Sequence, residues 1–105
     1  MKGIQKMIKF IKTQENGDAT CNYDVIFPEG MTIIEIVKTV RKEYPRDWFG
    51  SFHLNGWTEI GDYRNERTTL KPECENIVPT RVWANGGWGC MSYYFYTTEE
   101  KKNGD

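Results

Sequence analysis

The chain has 105 residues, 38% of them hydrophobic, with 14 Lys and Arg against 15 Asp and Glu and a formal net charge of -1. That length fits one domain with one core, and the composition is globular rather than disordered. A near-neutral balance argues against a general nucleic-acid binder, whose phosphate contacts need excess positive charge, and against an acidic DNA mimic. No apolar run is long enough to span a bilayer.

The N-terminal stretch MKGIQKMIKFIK is basic, but Lys6, Lys9 and Lys12 interrupt its apolar residues. It lacks the unbroken apolar core and small-residue cleavage site of a signal peptide, so a cytoplasmic location is expected. Residues 4–12 fit helical spacing through Ile4, Met7, Ile8 and Ile11, and strand alternation through Ile8 and Phe10. Asn16-Gly17 breaks the tie as a two-residue hairpin turn with positive φ at both residues. Cys21, Tyr23, Val25 and Phe27 then alternate with polar residues and need a partner strand across the turn, which assigns residues 4–13 to a strand. After Pro28 and Gly30, Thr32 and Glu35 form a capping box. Ile33, Ile36, Val37, Val40 and Tyr44 continue as a helical apolar stripe, and Pro45 ends it.

A second Asn-Gly pair, Asn55-Gly56, predicts a hairpin with Phe52 and Leu54 before the turn and Trp57 and Ile60 after it. Residues 64–76 read as a charged loop with one short strand near Thr68 to Leu70. IVPTRVWA and CMSYYFYT read as two strands flanking NGGWG, and the charged residues 98–105 as a frayed tail. The whole of residues 1–105 reads as a single α+β domain, with an antiparallel or mixed sheet of about five strands and one amphipathic helix packed on one face.

Hairpin, helix, then strands is the element order of the β-grasp, or ubiquitin-like, fold, which residues 4–97 resemble through the passage FPEGMTIIEIVKTV. The chain ends in NGD rather than diglycine, so the resemblance does not imply conjugation. FPEGMT together with GGWG is also similar to uncharacterised small proteins of gut bacteria and their mobile elements, and no function comes with that similarity.

Several chemistries lack their required context. NGGWG lies between two strands with no Lys-Ser/Thr pair, so it is not a phosphate loop; Gly86 and Gly87 are expected to supply positive φ to a hairpin turn, and Gly89 a bulge. Cys21, Cys74 and Cys90 are scattered and odd in number, which favours reduced thiols. With one histidine, His53, and no Cys-x-x-Cys, no metal site or other cofactor site is expected. An enzyme built on His53 and a cysteine stays open as a rival. Arg64, Arg67 and Arg81 with Tyr63, Trp83 and Tyr94 could line a sheet face for single-stranded nucleic acid, although the RNA-binding sheet motif is absent. Exposed aromatics also stack on sugars.

Met91, Tyr93 and Phe95 alternate with Cys90, Ser92, Tyr94 and Tyr96, so one helix covers only one of these sets. The other faces solvent unless residues 64–76 fold over it. The expectation is a small non-enzymatic module that binds another protein, as an inhibitor or adaptor. Trp88, Trp83, Tyr94 and Tyr96 would bury aromatic area, with Trp57 and Arg81 beside them, because tryptophan, tyrosine and arginine dominate such contacts.

Overall fold

The two N-terminal runs close as a hairpin in the computed structural model, which describes residues 6–17, 19–44, 50–64, 67–87 and 90–97. Strand β1, Lys9–Glu15, pairs antiparallel with β2, Cys21–Ile26. It starts later than the alternation implies, and residues 4 and 5 lie outside the described residues. The turn also differs from expectation. Glu15 pairs with Cys21, a gap too wide for a two-residue connection. Asn16 N–H donates to the Thr20 carbonyl at 2.8 Å and Ala19 N–H to the Asn16 carbonyl at 3.3 Å, closing a three-residue loop. Ala19, at φ 70, takes the left-handed position there instead of Asn16 and Gly17.

Helix α1, Ile33–Glu43, begins at the capping box: Glu35 N–H donates to Thr32 Oγ1 at 3.2 Å and Thr32 N–H to Glu35 Oε1 at 2.9 Å. Two further first-turn donors are met by the later chain, Ile33 N–H by the Ile77 carbonyl at 2.8 Å and Ile34 N–H by the Glu75 carbonyl at 3.0 Å. At the other end, Tyr44 N–H closes on the Val40 carbonyl and its hydroxyl donates to the Ile8 carbonyl at 2.7 Å. The Glu43 carboxylate accepts from Met7 and Ile8 N–H, which ties the helix to the entry of β1. Pro45 lies outside the described residues.

Strands β3, Ser51–Leu54, and β4, Thr58–Arg64, form the second hairpin, with Asn55 at φ 48 and Gly56 at φ 111 as their sequence requires. Phe52 pairs with Gly61 but His53 with Glu59, so Ile60 is an extra, bulged residue. The bulge shifts the alternation of β4 and sends Ile60 into the core while Trp57 stays on the opposite face. Strand β5, Arg67–Leu70, pairs with β4. A 3-10 turn at Pro72–Cys74 leads to β6, Arg81–Gly87, and β7, Cys90–Tyr96. β6 starts at Arg81 rather than at Ile77, because Pro79 has no N–H for a ladder. Gly87 pairs with Cys90 inside this hairpin, and neither Gly86 nor Gly87 has positive φ. A side chain on Gly87 would run into the Ala19 carbonyl, so its role is close backbone approach. Residues 88 and 89, which include Trp88 and the Gly89 bulge expected above, lie outside the described residues.

One mixed sheet holds all these strands in the order β1-β2-β6-β7-β3-β4-β5. Every pairing is antiparallel except β3 with β7. Among the described residues, the expected sheet of about five strands is therefore corrected to seven. The β6–β7 hairpin inserts between β2 and β3, where the helix crosses, and β5 adds an edge.

Ile33, Ile36, Val37 and Val40 of α1 pack on Val25, Phe52, Ile60, Val82, Ala84, Met91, Tyr93 and Phe95 of the sheet. Burying each large side chain contributes roughly 1.5–3 kcal/mol. Ala84 lies in register between Tyr23 and Tyr93, and this small residue leaves room for the rings beside it. Phe10 meets Tyr23, Tyr44 and Tyr93 edge-on at centroid distances of 5.9, 4.8 and 6.1 Å. Among the described residues, no helix is long and apolar enough to cross a membrane.

Candidate functional site: the uncovered sheet face

The residues that alternate with the core face away from α1. Asp24, Trp83, Tyr94 and His53 stand in register across β2, β6, β7 and β3. Adjacent strands are about 4.8 Å apart, close to ring-stacking distance, so aromatic side chains in one register row meet face to face. Trp83 and Tyr94 stack with centroids 4.4 Å apart and planes 14° off parallel; Tyr94 and His53 stack at 4.7 Å and 12°. Tyr94 is the middle ring and is only 8% exposed. Trp57 stands edge-on to His53 and Tyr94 at 6.2 and 5.7 Å and is 80% exposed. On the far side, Trp83 Nε1–H donates to Tyr96 Oη at 3.3 Å, and the Arg81 guanidinium lies 5.8 Å from the Tyr96 ring centre.

A second row is polar. Asn22 donates to Gln14 at 3.3 Å, and the Asn85 amide donates to Asn22 Oδ1. Ser92 Oγ and Ser51 Oγ are 3.0 Å apart, and Ser51 Oγ is 3.0 Å from His53 Nε2. His53 Nδ1 is buried without a partner. A buried, unmet N–H is rarer and more costly than an unmet lone pair, so the proton belongs on Nε2, with Ser51 as its acceptor. In that tautomer the imidazole donates to the serine and does not withdraw its proton, which is the reverse of what a general base for a serine nucleophile requires.

Five of the residues singled out from sequence, Trp57, Trp83, Tyr94, Tyr96 and Arg81, thus come together on one face, and Trp88 lies outside the described residues. Tyr94 is the support of the cluster rather than its contact surface. Residues 72–77 do not fold over this face, because Glu75 and Ile77 are bound to the start of α1. The arginine–aromatic set proposed for nucleic acid is divided: Tyr63 packs against the core, with the Arg41 guanidinium 5.4 Å from its ring centre, on the side opposite Trp83 and Tyr94. The Arg64 side chain lies outside what the structure describes. Cys74 belongs to the helix-side core and Cys21 alternates with Tyr23 and Val25 onto that side, whereas His53 faces away from it. The Cys90 side chain lies outside the described residues. Burial pushes the Cys74 thiol above its ordinary range, which suppresses the thiolate that reacts. Among the described residues no three His, Cys, Asp or Glu side chains gather as a metal site.

Sequence reasoning overlooked two isoleucines. Ile11 and Ile26 lie on the same uncovered face and are 51% and 52% exposed. The signal was present, since Ile26 continues the Asn22, Asp24 alternation. No family model, no curated protein and no solved structure matches this chain, so the reading of the face rests on its own geometry.

Proposed function

We propose that this chain is a small non-enzymatic binding module whose uncovered sheet face docks on another protein. The observation that carries this reading is Trp57, a tryptophan 80% exposed beside a rigid stack of Trp83, Tyr94 and His53. An indole held at its edge buries much area on contact for little lost entropy, which is how interface hot spots work. Stacking on bases or sugars needs free ring faces turned outward. Here Trp83, Tyr94 and His53 turn faces to one another, which favours a protein partner over those ligands. The order of hairpin, helix and strands supports a β-grasp-like architecture for the module. Docking of this kind would let the module inhibit or adapt a larger protein.

The test is capture from a lysate by the immobilised chain, with Trp57→Ala, Arg81→Ala and a helix-side control, Lys38→Ala, all checked for unchanged unfolding. Loss of one captured protein with Trp57→Ala or Arg81→Ala, and not with the control, supports the reading. Capture indifferent to both variants overturns it. So does glycan or single-stranded DNA binding that Trp57→Ala abolishes.

A further inference from the structure

Strand β5 closes one side of the sheet and, among the described residues, pairs with β4 alone. Lys71 N–H donates to the Ile60 carbonyl at 2.9 Å, which fixes the phase of that ladder. In an antiparallel pair every second residue bonds across, so Thr69 and Arg67 turn their N–H and C=O groups toward Asp62 and Arg64. The Thr69 carbonyl does lie against β4, since a side chain on Gly61 would run into it. Thr68 and Leu70 are the alternate residues, and their N–H and C=O groups point away from β4, along the open side of the sheet. An edge of this kind is a template for another strand. The opposite edge, β1, is interrupted by a bulge between Lys12 and Gln14, which blunts it.

The two faces of the β5 edge differ. Leu70 packs against the core on the helix side, and Thr68 shares that side by alternation. Beside them a cleft of about 180 Å3 lies between β5 and α1, with Ile34, Val37 and Leu70 as its apolar walls. At roughly 30 Å3 per water, that space has room for one side chain. On the other face stand Arg67, Thr69 and Lys71, all exposed. The Thr69 hydroxyl donates to the Asp62 carboxylate at 3.0 Å, so the two cations stand at either end of the run with a neutral residue between them.

We infer that the β5 edge takes one more strand, an extended peptide segment of another protein in which carboxylate and apolar side chains alternate. Outward N–H and C=O groups at Thr68 and Leu70 supply the main-chain bonds of strand addition. Side chains of the added strand that lie beside Thr68 and Leu70 point into the cleft, where an apolar group is covered by Ile34 and Val37. Those beside Arg67 and Lys71 point to the opposite face, where opposite charges across neighbouring strands attract and like charges repel. A basic segment is therefore refused, and a helical one has no free main-chain groups to offer. This is a second site, on the edge of the sheet, and it does not depend on Trp57.

Selection of a displayed library of random heptapeptides on the immobilised full chain tests the inference. The expected result is enrichment of peptides that alternate Asp or Glu with apolar residues. One such peptide, made synthetically, should shift the amide signals of Thr68 and Leu70 and slow their hydrogen exchange. Arg67→Glu and Lys71→Glu, both at exposed positions, should each weaken it roughly 5-fold. The same peptide with lysine in place of the matching acidic residue should recover binding to the Arg67→Glu chain. Thr68→Pro removes an outward N–H and no bond to β4, and should weaken binding about 10-fold. Failure to select any heptapeptide overturns the inference, as does selection without acidic enrichment or binding indifferent to all three variants. Peptides lost with Trp57→Ala and kept by Arg67→Glu and Thr68→Pro overturn it too, while leaving the reading of the uncovered face intact.

Discussion

Trp57 and Tyr94 touch, with ring centres 5.7 Å apart and planes at 84°, yet removing each should have unequal consequences for the fold. Tyr94 is 8% exposed and held between two parallel rings. Truncation of a buried aromatic side chain costs about 3–5 kcal/mol, of which each aromatic pair supplies about 0.5–1.5 kcal/mol. The vacated site opens onto solvent and can fill with water, which places Tyr94→Ala near the lower end, about 3 kcal/mol. Trp57 is 80% exposed and makes edge contacts alone, so Trp57→Ala should cost below about 1 kcal/mol. Urea unfolding with unchanged slope measures both losses. A loss of about 2 kcal/mol or more on Trp57→Ala would show that the indole serves the monomer fold, and the case for a partner surface would fall with it. A loss below about 1 kcal/mol on Tyr94→Ala would refute the ring stack as the support of that surface.

Three other outcomes are expected. Ala19→Gly should raise stability by about 0.5 kcal/mol, since glycine removes the left-handed strain at φ 70 but loses more chain entropy on folding; chemical denaturation reads the difference. Thr32→Ala removes the hydroxyl that accepts from Glu35 N–H, while the backbone N–H of residue 32 can still donate to Glu35, and should lower the unfolding free energy by about 1 kcal/mol in the same assay. Burial pushes the Tyr93 phenol well above its ordinary value, so its stabilising contribution is complete below about pH 10 and is lost as the unfolded chain ionises above it. The unfolding free energy should fall from about pH 10 upward, at a slope of up to about 1.4 kcal/mol per pH unit from this group, and Tyr93→Phe should remove that share.

The uncovered face illustrates how far side-chain alternation reaches. It separates Met91, Tyr93 and Phe95 from Ser92, Tyr94 and Tyr96, and the burial of the first set matches. It also places His53 opposite Phe52. It cannot register the bulge at Ile60, because an inserted residue is visible only against its partner strand. For the same reason the first Asn-Gly pair misleads: the length of that loop follows from the pairing of Glu15 with Cys21, and the turn residues adapt to it.

The elements whose stabilising contacts lie within a few residues were determined by sequence alone. They include the capping box of Thr32 and Glu35, the apolar stripe from Ile33 to Val40, and the positive φ at Asn55 and Gly56. Only the tertiary structure decided that β6 and β7 insert beneath the helix, that β2 pairs with β6, and that Trp83, Tyr94 and His53 form one stack. Those features depend on the register between strands far apart in the chain. Register is set by the combined burial of the whole core, a quantity that no local window of residues contains.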